Sequence, residues 1–162
     1  MGIYNRVDDL ETFVGIRSDM ANDETLLGYL NSLYQHVHNQ AKVYPTLADG
    51  ILVQGGSGAW QLGNFVQIIP ANQITTPFDI HYINFEGASA TDTYEFVLYK
   101  GLLGEEIEIG RIRTDRESAT SGITNVPIQI PAQLENTRIS CKLASKSGND
   151  NVTVSVYYHI YV

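Results

Sequence analysis

Cysteine is almost absent from this sequence: Cys141 is the one thiol in 162 residues. A single thiol forms no internal disulfide and excludes a cysteine-rich zinc site. Ile139 and Leu143 share its face on an alternating segment, which predicts an inert thiol buried in a core. Basic residues are scarce as well, with 10 Lys and Arg against 18 Asp and Glu for a formal charge of -8. The deficit is even along the chain: 7 acids and 3 bases in residues 1–54, 11 acids and 7 bases in residues 55–162. No basic face emerges, so no electrostatic grip on nucleic acid or on an anionic membrane is expected. Long apolar runs are also missing. No stretch approaches the ~18 residues that would span a bilayer. Met1-Gly2-Ile3-Tyr4 lacks the charged and apolar regions of a signal peptide, so synthesis in the cytoplasm without a cleaved leader is expected. Asn151-Val152-Thr153 matches a glycosylation acceptor, which without a secretory route has no consequence.

What is present divides at Gly55-Gly56-Ser57-Gly58, where glycine crowds out both helix and strand. Ahead of it the apolar residues follow helical spacing. Ile3, Val7, Leu10 and Val14 fit a short amphipathic helix, or an extended anchoring arm, since Phe13 and Ile16 fall off the stripe. Residues 24–44 form a longer helical pattern that Asn22 or Asp23 can cap. Leu27, Leu30, Tyr34, Val37, Ala41 and Tyr44 alternate spacings of three and four, a heptad seam widened by Leu26 and Leu33. Pro45 ends it. A lone helix of about 20 residues is marginal in water, so this stripe must pack on something. Either it lies across its own β-domain, or it joins a short parallel bundle of three copies. The glycine hinge, which detaches it, favours the bundle.

After the glycines the period becomes two. Strands are expected near residues 59–69, 78–87, 93–100, 105–114, 126–130, 137–144 and 152–161, with another around Ile51-Leu52-Val53. The last is the cleanest: Val152, Val154, Val156, Tyr158 and Ile160 face one way, and Thr153, Ser155, Tyr157, His159 and Tyr161 the other. The expected fold is mainly β: an N-terminal helical stem, then an antiparallel β-sandwich of jelly-roll or immunoglobulin-like type. Residues 1–54 would be arm and oligomerisation helix, 55–58 the hinge, and 59–162 the sandwich.

Reaction chemistry is hard to find. His36 and His38 stand two apart on a helix, whereas a helical zinc pair needs four. Asp79 and His81 share a strand face as two metal ligands or an orienting pair would, but nothing nearby in sequence supplies a third ligand, and a solvent-facing hydrogen bond is expected. Glu105, Glu106 and Glu108 read as the wet side of a strand whose other side is Ile107 and Ile109. Ser57 lies in neither a nucleophile elbow nor a phosphate loop. No catalytic residue, metal or cofactor is therefore expected. The remaining candidate is a ligand platform or inter-subunit contact at Tyr157, His159 and Tyr161, aromatic groups on the polar side of the last strand.

Several segments together resemble a domain of tailed-bacteriophage structural proteins. They are Trp60-Gln61-Leu62-Gly63, Ile68-Ile69-Pro70-Ala71-Asn72, Phe78-Asp79-Ile80-His81-Tyr82-Ile83, Tyr94 through Gly101, Glu108 through Arg113, and Val154 through His159. The resemblance covers residues 59–162 and implies a non-enzymatic virion component. A capsid decoration protein or head fibre comes first, anchored by its N-terminus on partners such as the major capsid protein and trimerised by its stem. The alternative it implies is a tail or fibre module that binds a receptor or a host-surface glycan. Neither reading involves nucleic acid or membrane insertion.

Overall fold

The structure, a computed structural model, describes Leu26, Gly28, Leu30, residues 41–116 and residues 122–161. The chain divides into two units, Met1–Gln40 with Tyr161–Val162, and Ala41–Ile160. In the first unit Leu26, Gly28 and Leu30 are helical, and Leu26 and Leu30 are 41% and 50% exposed. The remaining residues of the expected arm (Ile3, Val7, Leu10, Val14) and of the seam's helical part (Leu27, Tyr34, Val37) lie outside the described residues, as do His36 and His38.

Among its described residues the second unit has nine strands: β1 (Lys42–Tyr44), β2 (Ile51–Gln54), β3 (Val66–Ile69), β4 (Phe78–Glu86), β5 (Thr93–Lys100), β6 (Ile107–Asp115), β7 (Thr124–Pro127), β8 (Ile139–Ser145) and β9 (Asn151–Ile160). They form two sheets. In the first, β9 lies between β4 and the pair β1 and β2, and β7 flanks β4; the second runs β3-β8-β5-β6. All pairings between these strands are antiparallel. β1 and β2 pair with successive parts of β9, Tyr44 opposite Val156 and Ile51 opposite Val154, so they act as one strand interrupted by the 3-10 turn Leu47–Asp49. From β2 onward every connection crosses between the sheets except the β5–β6 hairpin. This order is that of a jelly roll, and the immunoglobulin-like alternative drops out.

Alternation explains the core. Ile80, Ile83 and Phe85 of β4, Tyr94, Phe96 and Leu98 of β5, Ile139, Cys141 and Leu143 of β8, and Val152, Val154 and Val156 of β9 are all buried between the sheets. Tyr94 keeps its hydroxyl bonded there by donating to the Ala90 carbonyl at 2.7 Å. Cys141 is in the core as expected, and burial pushes its thiol up to about 12, so little reactive thiolate forms at neutral pH.

Two expectations require correction. The helix does not reach Tyr44: Ala41 is outside any helix, and Tyr44 lies in β1 against Val156. Pro45 does more than stop a helix, because it drives the preceding residue into extended backbone, and Val43 and Tyr44 are good strand formers. The glycines at 55–58 are not a hinge ahead of the sandwich, since β1 and β2 precede them within it. They make close turns between β2 and β3. The Gly55 amide donates to the Asp150 carbonyl at 2.8 Å and that of Gly56 to the Gln61 carbonyl at 2.8 Å. A β-carbon on Gly56 would fall 2.6–2.8 Å from Gln61. Trp60 is held there at φ 58°, its amide bonded to the Ser145 carbonyl, so the strand expected from residue 59 begins only at Val66.

Candidate functional site

The outer face of the first sheet collects the polar and aromatic groups of β4 and β9. In β4, the residues facing the core are Phe78, Ile80, Ile83 and Phe85, so His81 and Tyr82 are consecutive non-core positions. The register accounts for this. Ile80 pairs with Tyr158 and Tyr82 with Tyr157, which leaves His81 as the extra residue of a β-bulge. The bulge turns both His81 and Tyr82 to the outer face. Backbone bonds hold it: the Ile128 amide donates to the His81 carbonyl at 2.8 Å, and the Ile130 amide to the Ile80 carbonyl at 3.1 Å.

Asp79 lies directly opposite His159 in this register. Its Oδ2 is 2.9 Å from His81 Nε2, and that same nitrogen is 3.2 Å from Nδ1 of His159. Nδ1 of His159 is 3.9 Å from Asp79 Oδ1. Asp79 is only 7% exposed, while both rings are partly open. Among the described residues this trio is the group whose ligand atoms converge, all within 4.8 Å of one another. Beside it Tyr82 meets Tyr157 edge to face, with ring centroids 6.4 Å apart and planes at 87°. Tyr82 is 43% exposed.

The platform residues thus fall in different settings. Tyr157 stands on the outer face against Tyr82, His159 is drawn into the trio with Asp79, and Tyr161 lies past the end of β9 in the first unit. The third group of metal-ligating type, missing near Asp79 and His81 in sequence, is His159, brought from the far end of the chain by pairing of β4 with β9. Tyr82 also belongs to this face. The break in alternation at His81-Tyr82 is a signal for it within the sequence itself.

The outer face of the second sheet is occupied by charge pairs. Glu95, buried, accepts from both Arg111 and Arg113. Arg113 stacks over Trp60 at 4.2 Å, and Lys142 over Phe65 at 4.0 Å. Glu108 is tied to Arg111, whose guanidinium holds this carboxyl below its ordinary range, and Glu106 to Arg138 at 3.1 Å. A carboxyl kept ionised in this way is a poor proton donor. At one end of the sandwich an open cleft of about 450 Å³ separates the β5–β6 turn from the segment before β8; Leu102, Ile107 and Leu134 line it beside Lys100 and Arg138.

No family model matches the chain, and no curated protein matches it. Among solved structures, a chain of infectious bursal disease virus, Gt strain, is similar at a TM-score of 0.41 and 12% identity, over 76% of this chain and 33% of that one. This chain therefore spans about a third of the viral chain's length. The module CsCBM6-3 of Clostridium stercorarium, solved with cellobiose, is similar at a TM-score of 0.40 and 11% identity, over 72% of this chain and 80% of that one. The C-terminal CBM6 of LamC, a laminarinase of Zobellia galactanivorans, gives a TM-score of 0.33 and 19% identity, over 75% and 89%. These are partial likenesses, across which function does not transfer.

Proposed function

We propose that this protein is a non-enzymatic structural component of a phage particle, a capsid decoration or head-fibre protein. Residues 1–40 anchor it on partners such as the major capsid protein and join it to two further copies, and the jelly roll is the part displayed. The observation that carries this reading is the division of the chain at Gln40, with the helical residues Leu26, Gly28 and Leu30 on one side and the strands of the sandwich on the other. Leu26 and Leu30, one helical turn apart, leave much of their apolar surface in water within the single chain. Each leucine buried between copies contributes about 1.5–3 kcal/mol, enough for three copies to make a stable stem of a marginal helix. The stem is a shorter one than the heptad pattern suggests, because Tyr44 belongs to β1.

Leu30→Asp puts a charge into the seam. Light scattering is expected to show a trimer for the wild-type chain and the mass of one chain for the variant, with the β-sheet circular dichroism retained. A variant that keeps the wild-type mass removes the stem from the proposal.

A second reading, a receptor- or glycan-binding module, is favoured by the exposed Tyr82 and half-buried Tyr157 beside the polar trio, since accessible rings next to hydrogen-bonding groups suit a sugar. On a glycan array the full chain is then expected to bind selectively, and Tyr82→Ala to lose that binding. A flat array counts against this reading and leaves the first untouched.

A further inference from the structure

Two imidazoles and a carboxylate converging on one point is an arrangement with two physical explanations, a hydrogen-bond chain or a metal site. The distances suit both, and the protons available favour the second. Nε2 of His81 faces Asp79 Oδ2 at 2.9 Å and His159 Nδ1 at 3.2 Å. A neutral ring nitrogen carries either a proton or a lone pair. If it donates to Asp79, Nδ1 of His159 shares the same proton or faces it with its own; if it accepts from His159, its lone pair meets the carboxylate's. A cation at the centre takes all three lone pairs together.

We propose that Asp79, His81 and His159 bind a divalent transition metal, with Zn²⁺ the ion that fits best. Bonds of about 2.0–2.2 Å to a tetrahedral ion set its ligand atoms roughly 3.3–3.6 Å apart. His81 Nε2 lies 2.9 Å from Asp79 Oδ2 and 3.2 Å from His159 Nδ1, and His159 Nδ1 lies 3.9 Å from the other carboxylate oxygen, Oδ1. One ligand atom from each residue falls within 4.8 Å of the others, so small side-chain rotations bring the trio to that spacing. Two nitrogens and one carboxylate oxygen suit zinc, cobalt or nickel, whereas calcium and magnesium require more oxygen ligands. The frame is rigid: Asp79 and His159 are register partners on two strands, and the bulge aims His81. Three protein ligands leave the fourth position to water, and the partly exposed rings give the ion a path from the outer face. Because the ligands come from β4 and β9, the ion cross-links two neighbouring strands and stabilises the sheet.

The test uses the full chain, stripped with chelator and titrated calorimetrically with Zn²⁺. One ion per chain is expected, with no comparable heat from Ca²⁺ or Mg²⁺. Co²⁺ should give the intense visible absorption of a four-coordinate site. At a hundredfold excess over Kd, Zn²⁺ should raise the Tm by roughly 5–10 °C. Loss of an outer-shell partner typically weakens a metal site 10- to 100-fold, so loss of a ligand in His81→Ala or His159→Ala should cost about 100-fold or more. Asp79→Asn, which keeps the side chain's shape, should abolish the Zn²⁺-dependent shift in Tm. His36 and His38 are the other two of the 4 histidines, and replacing both by alanine should leave binding unchanged. No Zn²⁺ heat in the wild-type chain overturns the proposal. So does binding that survives in His159→Ala and disappears with His36 and His38.

Discussion

Phe85→Ala is expected to destabilise the jelly roll by about 3–5 kcal/mol, a large share of the roughly 5–15 kcal/mol that holds a typical domain together. Phe85 is fully buried at the centre of the aromatic core, 5.4 Å from the ring of Phe96 and 6.3 Å from that of Tyr94. The Arg116 guanidinium stacks on its ring at 5.0 Å and donates to its carbonyl at 3.2 Å. Truncation therefore removes core packing and the apolar support of a buried cation together. Neither sheet can close the gap easily, because β4 is held on both sides by β9 and β7. Phe65→Ala is the comparison. That ring is 37% exposed on the outer face of the second sheet, so its loss should cost about 1 kcal/mol, the worth of its contacts with Lys142 and Tyr99. Denaturant midpoints at constant m-value give both numbers. A cost below about 1.5 kcal/mol for Phe85→Ala would mean that the two sheets are not packed through this ring.

Much of the β-architecture was legible because burial in a two-sheet sandwich imposes a period of two that survives in the residues. β5 runs from Thr93 to Lys100 as the alternation predicts, and β9 differs from its expected span by one residue at each end. What alternation cannot carry is pairing. Nothing local in the sequence tells that β4 lies beside β9, so nothing local tells that Asp79 meets His159 across 80 residues of chain. The choice of jelly roll over immunoglobulin-like order was hidden for the same reason, since strand order is decided by contacts between distant segments. The error at Tyr44 has a different origin. The spacing of Val37, Ala41 and Tyr44 continued the heptad by coincidence, and the local preference of Val43-Tyr44-Pro45 for extended backbone, together with an open edge on β9, outweighed it. The trio itself was half visible: Asp79 and His81 stood on one face, and the bulge beside them was marked by two adjacent residues that could not both face a core.

The glycines are best understood through Gly63→Ala, expected to cost about 3 kcal/mol or more. Its amide donates to the Leu143 carbonyl at 2.9 Å, which brings the β2–β3 crossing down onto β8. A β-carbon built there would come within 1.9 Å of the Gln54 carbonyl oxygen and 3.0 Å of its carbon, both backbone atoms at the end of β2. No rotamer relieves such an overlap, so the crossing must lift away from β2. The Gly63–Leu143 hydrogen bond and the neighbouring Trp60–Ser145 bond then weaken together, which places the cost at or above the upper end of ordinary overpacking, about 1–3 kcal/mol. Gly122→Ala is the control: a β-carbon there meets nothing within 4 Å, and the change should fall within about 1 kcal/mol of neutral. With a hinge at residues 55–58 and a strand from residue 59, as the sequence suggests, alanine for glycine at position 63 would leave the unfolding midpoint unchanged or raise it. A large loss of stability, measured against an unmoved Gly122→Ala, would instead establish that Gly63 is there for close backbone approach inside the jelly roll. The sandwich would then take in β1 and β2 ahead of the glycines, within the unit Ala41–Ile160.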